Sequence, residues 1–323
     1  MDRVLVTGGS GFIGTNLLRH CLERGSLVRN MDILPPRNPA QREYWQECDL
    51  LDGRRLAEGI AAFRPEFLFH LAARTDLEEK RRIEGYAANT DGVGNLLTAI
   101  GESGTVKRAI FASTQLVRPV GDLPRQETDY APDTLYGRSK VLGEEMVRDA
   151  DGGGVEWCIV RPTTVWGPWC NSHQRRFLEL IRAGRYFHVG YRDRYKSYGY
   201  VDNICRQLCA LMEADAARVS RKTFYLADYE PISLREWANA FQKELGAPRI
   251  RTLPVFLARA AAAAGDLIVR SGRTDFPFTS TRLRNILTEY VFDLAEARGI
   301  VGRLPCTMEE GARETVRWLT SPA

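Results

Sequence analysis

Residues 7–14 read Thr-Gly-Gly-Ser-Gly-Phe-Ile-Gly, directly after the apolar run Val4–Thr7 and directly before an amphipathic stretch, 13–24, that Gly25 closes. Such a segment predicts a strand, a tight glycine turn and a helix. Gly8 permits the turn, Gly11 lets backbone approach a pyrophosphate, and Gly14 allows close packing of helix on strand. The first helical amides, Phe12 and Ile13 among them, then face negative phosphate. Turns are glycine-rich everywhere, so the context carries the reading. An acidic residue, Asp32, closes the second apolar run 18 residues beyond Gly14. A carboxylate there accepts hydrogen bonds from an adenosine ribose and repels a 2′-phosphate, which favours NAD over NADP. Arg29 and Arg37, close in sequence, are the features that speak for NADP.

Further β-branched runs recur at 27–32, 67–71, 108–113 and 157–161, with helical patterns at 87–101 and 136–150. This alternation predicts an α/β fold, a Rossmann-type doubly wound parallel sheet. After Pro162 the pattern changes. Residues 166–200 are rich in Trp, Tyr, Arg and Gly without periodicity, 223–226 read as a strand returning to the sheet, and the chain from Ser233 onward is mostly helical. The expected organisation is a cofactor domain over 1–165 with a returning segment near 196–228, and a smaller C-terminal substrate-binding lobe over most of 166–323. A length of 323 residues suits one large domain and a small lobe.

The net charge of +4 is not gathered into a basic stripe, so no nucleic-acid partner is expected. Seven cysteines, odd in number and without a CxxC pair, predict buried thiols in a reducing compartment and no metal site. Cys205 and Cys209 stand one helical turn apart with no further ligand nearby. The most apolar later stretch, 253–269, is interrupted by Arg259, Gly265 and Asp266, so it is not expected to span a membrane. Without a leader-like segment before the first strand, a cytoplasmic protein without a membrane partner is expected.

Tyr136 and Lys140 form YxxxK, a spacing that puts both side chains on one helix face. A phenol titrates near 10 and is a poor base at neutral pH. A neighbouring ammonium is expected to lower it, so that Tyr136 removes a hydroxyl proton while hydride leaves the same carbon. A solvated Tyr–Lys pair has the same spacing; the glycine loop upstream and a strand downstream favour the chemical reading. His70 reads as a satisfied core histidine.

Taken in order, TGGSGFIG (7–14), CDLLD (48–52), HLAA (70–73), Asn89 with GVGNLL, FAST (111–114), YGRSK (136–140), RPTTVWGP (161–168), YGYVDN (198–203) and MEEGARETVRWL (308–319) resemble the extended short-chain dehydrogenase/reductase family. The resemblance is strongest to its NAD-dependent nucleotide-sugar epimerases and dehydratases. It implies Thr114, Tyr136 and Lys140 as catalytic residues, with Tyr136 and Lys140 also meeting the cofactor, where Lys140 holds the ribose and tunes Tyr136. It places Asp49 and Leu50 near the adenine, Leu71, Ala72 and Ala73 beneath the pyrophosphate and nicotinamide ribose, and Pro162 near the nicotinamide. It also implies a homodimer paired through helices from the 87–101 and 136–150 regions.

The departures bear on the reaction. Dehydratases of the family carry Asp-Glu after the catalytic Thr; here Gln115 and Leu116 stand there, and neither moves a proton. Leu116 also replaces the acid of related decarboxylases. Arg118 stands where the family usually has a Tyr lining the sugar pocket, and Thr164 where an Asn often contacts substrate. Lys196 falls where an Arg commonly holds the nucleotide diphosphate, in a chain with only six lysines. Arg175 and Arg176 are further candidates for substrate contact. The leading expectation is therefore an NAD-dependent epimerase or oxidoreductase on a nucleotide-diphosphate sugar, through a transient ketone. A net dehydrogenase or ketoreductase on a bulky, steroid-like alcohol is the alternative, for which 253–269 and 276–280 would supply an apolar pocket. A non-catalytic NAD-binding protein is the third reading.

Overall fold

Seven parallel strands form the central sheet of the computed structural model, which describes residues 1–271, 276 and 278–321. In chain order the first elements are β1 (Arg3–Thr7), α1 (Phe12–Glu23), β2 (Leu27–Asp32), β3 (Trp45–Glu47), α2 (Gly53–Phe63), β4 (Phe67–His70), α3 (Asp91–Ser103), β5 (Arg108–Ala112), α4 (Leu135–Asp149) and β6 (Glu156–Pro162). The order across the sheet is β3, β2, β1, β4, β5, β6 and then the strand Lys222–Leu226. Strand β1 pairs with β2 on one side (Val4↔Val28) and β4 on the other (Leu5↔Leu68). The winding direction therefore reverses between β1 and β4, and in open α/β sheets ligands bind beyond the strand ends at such a reversal. Val4, Leu5, Val6, Leu68, Phe69, Ile110 and Ile159 are sealed from solvent, as central strands covered on both faces must be.

The sequence pattern missed β3 and α2. A three-residue edge strand is too short to show alternation. Helix α2 did carry a signal, since Leu56, Ile60 and Phe63 repeat at helical spacing and Asp52 caps it by accepting from Arg55 N at 3.0 Å.

The chain divides into two units. The first contains residues 1–169, 198–229 and 292–306. Its last segment joins the sheet unit through Phe292, which stacks on Tyr225 at 4.2 Å, and Cys306, whose carbonyl accepts from Asn203 Nδ2 at 2.9 Å. The second unit contains 170–197, 230–291 and 307–323. Within it, helix Ser172–Arg182 is capped by Asn171, and Phe177 stacks on Trp237 at 4.7 Å. Helix Val255–Arg270 packs with Ser280–Leu287 around Ala258, Ala262 and Leu283. The closing helix Met308–Thr320 begins in a reciprocal cap between Thr307 and Glu310. No helix among the described residues is long and apolar enough to cross a membrane.

Candidate active site

The glycine loop is fixed by backbone meeting backbone. Gly8 has φ +75°, and a Cβ on it would lie 2.6 Å from Ala72 Cα. The turn after β1 and the residues after β4 thus touch, bringing Leu71, Ala72 and Ala73 against the loop. A Cβ on Gly14 would collide with the Gly8 carbonyl and stand 2.6 Å from Gly9 Cα. Gly11 opens α1 without a side-chain cap, so the first-turn amides have no intrahelical acceptor and remain available to an anion. Asp32 accepts from Ser10 N and Leu34 N, both at 3.0 Å, tying the end of β2 to the same loop. Burial raises its pKa, and the two amides and Arg37 pull it back. A loop with no room for a Cβ at Gly8 or Gly14, an uncapped helix start and a carboxylate at the end of β2 together fit NAD.

Because the atoms a Gly14 side chain would meet are backbone, they cannot swing aside. We expect Gly14→Ala to cost about 2 kcal/mol or more in thermal unfolding and to abolish NAD binding in a fluorescence titration.

Thr114 follows β5, while Tyr136 and Lys140 lie in the first turns of α4, whose start is capped by Thr134 accepting from Gly137 N at 3.0 Å. All three are buried, and the Thr114 hydroxyl, close to the Tyr136 phenol, accepts from Leu116 N at 3.2 Å. Burial pushes the Tyr136 phenol up to about 12, Thr114 draws it down, and the neighbouring Tyr86 adds to the rise. The expected lowering by Lys140 is not what the chain produces. Lys140 itself is brought down to about 8 by burial, with Glu144 opposing. Its charge is felt by His70, which burial and Lys140 lower to about 3, and whose Nδ1 lies 2.8 Å from Thr7 Oγ1. The phenol is thus protonated at neutral pH, the form that donates a proton.

The sequence reading missed what stands behind Lys140. Glu144, one turn further along α4, accepts from Arg161 Nε at 2.8 Å and Nη2 at 2.6 Å. The two side chains are 2% and 0% exposed. Tyr130 donates to Glu144 at 2.8 Å, and the Arg161 guanidinium also lies over the Tyr130 and Tyr225 rings. The i, i+4 relation of Lys140 and Glu144 was a usable signal; the partner on β6 was not.

The remaining candidates are more dispersed. Asp49 is exposed and accepts from Leu51 N at 2.9 Å, a turn-forming bond, while Leu50 belongs to the core. Pro162 ends β6 beside Leu226. Thr164 Oγ1 accepts from Gln115 Nε2 at 3.4 Å. Arg118 pairs with Asp122 and Asp129, both at 2.6 Å. Arg29 lies over the Phe63 ring, and Arg37 donates to the Trp169 carbonyl at 2.7 Å. In the second unit, Arg176 is exposed on its helix and Arg175 lies over Trp318. Lys196 is buried, donates to the Asn285 carbonyl, lies over the Tyr290 ring and is lowered to about 8 by burial.

The profile of the NAD dependent epimerase/dehydratase family matches residues 4–227. The chain belongs to that family. Its cofactor is NAD, and it is an enzyme of the epimerase/dehydratase type within the extended short-chain dehydrogenase/reductase group. A 3-beta-hydroxysteroid dehydrogenase of Mycolicibacterium neoaurum is 27% identical, over 99% of this chain and 92% of the relative. An Escherichia coli O157:H7 N-acetyl-alpha-D-glucosaminyl-diphospho-ditrans,octacis-undecaprenol 4-epimerase is 24% identical, over 98% and 95%. The solved UDP-glucose 4-epimerase of Thermus thermophilus, in complex with NAD, shares the fold with a TM-score of 0.74 at 22% identity, over 99% and 100%.

Proposed function

We propose that this chain interconverts a secondary alcohol and its ketone with NAD, using Tyr136 as acid/base, Thr114 as a hydroxyl on the reacting oxygen and Lys140 as the cation holding the site's charge. The observation that carries this reading is the burial of Thr114, Tyr136 and Lys140 together, between the end of β5 and the first turns of α4, at the sheet's ligand-binding end. Gly8, Gly11, Phe12, Ile13 and Gly14 would hold the pyrophosphate and Asp32 the adenosine ribose. Asp49 and Leu50 would flank the adenine, and Leu71, Ala72, Ala73 and Pro162 the nicotinamide half. NAD, when bound, accepts or returns the hydride. In the reducing direction the carbonyl π pair moves onto oxygen as hydride reaches carbon, and that oxygen takes the Tyr136 proton while Thr114 donates a hydrogen bond to it. The alcohol-forming step thus uses the phenol in its resting form, and oxidation is the same path reversed. Gln115 and Leu116 provide no further acid or base, so elimination of water has no proton carrier here.

For the substrate, a bulky apolar alcohol is favoured by Lys196. A diphosphate anchor needs an available ammonium, and this one is buried against a carbonyl and a ring. The similar proteins include one named for a steroid and one for an undecaprenol-linked sugar. A nucleotide-diphosphate sugar, epimerised through a transient ketone, is the second reading; the polar Gln115–Thr164 pair beside Thr114 suits sugar hydroxyls. The apolar pocket expected from 253–269 is not part of either reading, since Phe256, Leu257 and Leu267 are exposed; of 276–280, Pro277 lies outside the described residues. The test is a panel of hydroxysteroids, long-chain 3-oxo compounds and nucleotide sugars, each assayed with NAD(H) and NADP(H). Net change in NADH absorbance with an apolar alcohol or ketone is expected. Product formation from a nucleotide sugar without net NADH change would instead establish epimerisation, and no turnover with any hydroxyl or ketone would overturn the proposal.

A further inference from the structure

Helix Val255–Arg270 carries its small residues inward and its large ones outward. Ala258, Ala262 and Gly265 are buried, with room beside Gly265 only for Phe276 and Phe278. Phe256 is 69% exposed, Leu257 44% and Leu267 65%, and Ala260, Ala263 and Ala264 are exposed with them. At 100° per residue, Phe256, Ala260, Ala263 and Leu267 form one stripe on the side opposite Ala258, Ala262 and Gly265. Arg259 and Arg270 border that stripe, and both are exposed. Ordinary solvent-facing helices show the reverse pattern, and a continuous apolar stripe of this kind marks a contact surface.

The charge around it identifies the occupant. Between Ala247 and Thr288 the sequence has seven arginines (249, 251, 259, 270, 273, 282 and 284) and two aspartates, with no Lys or Glu. This excess is larger than the net charge of +4 of the whole molecule. We propose that the helix lies along an anionic lipid bilayer surface, with Phe256, Leu257 and Leu267 in the acyl boundary and Arg259 and Arg270 at the headgroups. A symmetric pairing of two copies through this patch would instead press like charges together. At sixteen residues the helix is too short to span a bilayer, so it lies on the surface. The proposal is independent of the active-site reading, and either stands if the other fails.

The experiment is co-sedimentation of the full chain with phosphatidylcholine vesicles and with vesicles also containing phosphatidylglycerol. Binding to the anionic vesicles alone, weakened by added salt, is expected. The double variant Phe256→Ser, Leu267→Ser should weaken it about tenfold or more, because each side chain then loses its apolar burial. The double variant Arg259→Gln, Arg270→Gln should weaken it comparably, each charge being worth about fivefold at such a surface. Thermal unfolding of both variants should match the parent, since the altered side chains face outward. Wild-type protein left in solution with anionic vesicles would overturn the proposal, as would unaltered binding by the Phe256/Leu267 variant. A concentration-dependent oligomer abolished by that variant, without vesicle binding, would overturn it in favour of a protein interface.

Discussion

Tyr136→Phe is expected to lower kcat about a thousandfold while leaving the NAD dissociation constant and the thermal midpoint nearly unchanged. The substitution removes one oxygen and keeps the ring that packs beside Tyr86 at 6.2 Å. What disappears is the proton that must reach the substrate oxygen as hydride reaches its carbon. Water cannot easily substitute, because Tyr136 and Thr114 are 9% and 7% exposed. Losing the hydroxyl forfeits at most one ordinary hydrogen bond, about 1 kcal/mol of stability, so unfolding cannot explain a thousandfold loss. Retention of more than a tenth of the parent kcat would remove Tyr136 from the mechanism. The pH profile gives an independent reading. Lys140 is brought down to about 8, so its ammonium is present below that pH and is lost as pH rises through it. The parent rate should therefore fall on the alkaline side near 8.

The glycine loop, Asp32 and the Tyr136–Lys140 spacing were legible because each is local. The glycine turn, the acidic end of β2 and the helix face are set within a few residues, and the parallel sheet follows from strand–helix alternation. Electrostatic roles were less legible. Spacing put Lys140 on the face of Tyr136, yet its charge acts on His70, and burial decides the phenol. Burial depends on how β4, β5 and α4 pack, which no periodicity encodes. The return of Phe292–Cys306 to the sheet unit was invisible for a related reason. It depends on one ring stacking on Tyr225 and one carbonyl meeting Asn203, both far away in sequence.

Glu144→Gln should produce a large loss of stability in the sheet unit. Arg161 is wholly buried, and its guanidinium finds its counter-charge in Glu144, on a helix facing the strand it sits on. Removing the carboxylate leaves a buried cation with neutral partners, which costs about 3–5 kcal/mol. Chemical denaturation at neutral pH measures this directly. The same carboxylate supports the charge on Lys140, whose folded value near 8 lies below its ordinary 10.5. That depression means the folded chain holds the ammonium at a cost of about 3 kcal/mol below pH 8, relieved as pH rises from there towards 10.5. Without Glu144 the Lys140 value falls further, and the alkaline limb of the rate profile moves to lower pH. A purely structural role for the pair predicts lost stability with an unmoved limb. The double variant Glu144→Leu, Arg161→Met separates the two effects. Replacing a buried ion pair by apolar groups of similar volume is often tolerated, so it should recover most of the stability. It should not restore the alkaline limb, because Lys140 is still without its carboxylate. Stability restored together with the parent pH profile would confine Glu144 to packing and leave burial alone to set Lys140.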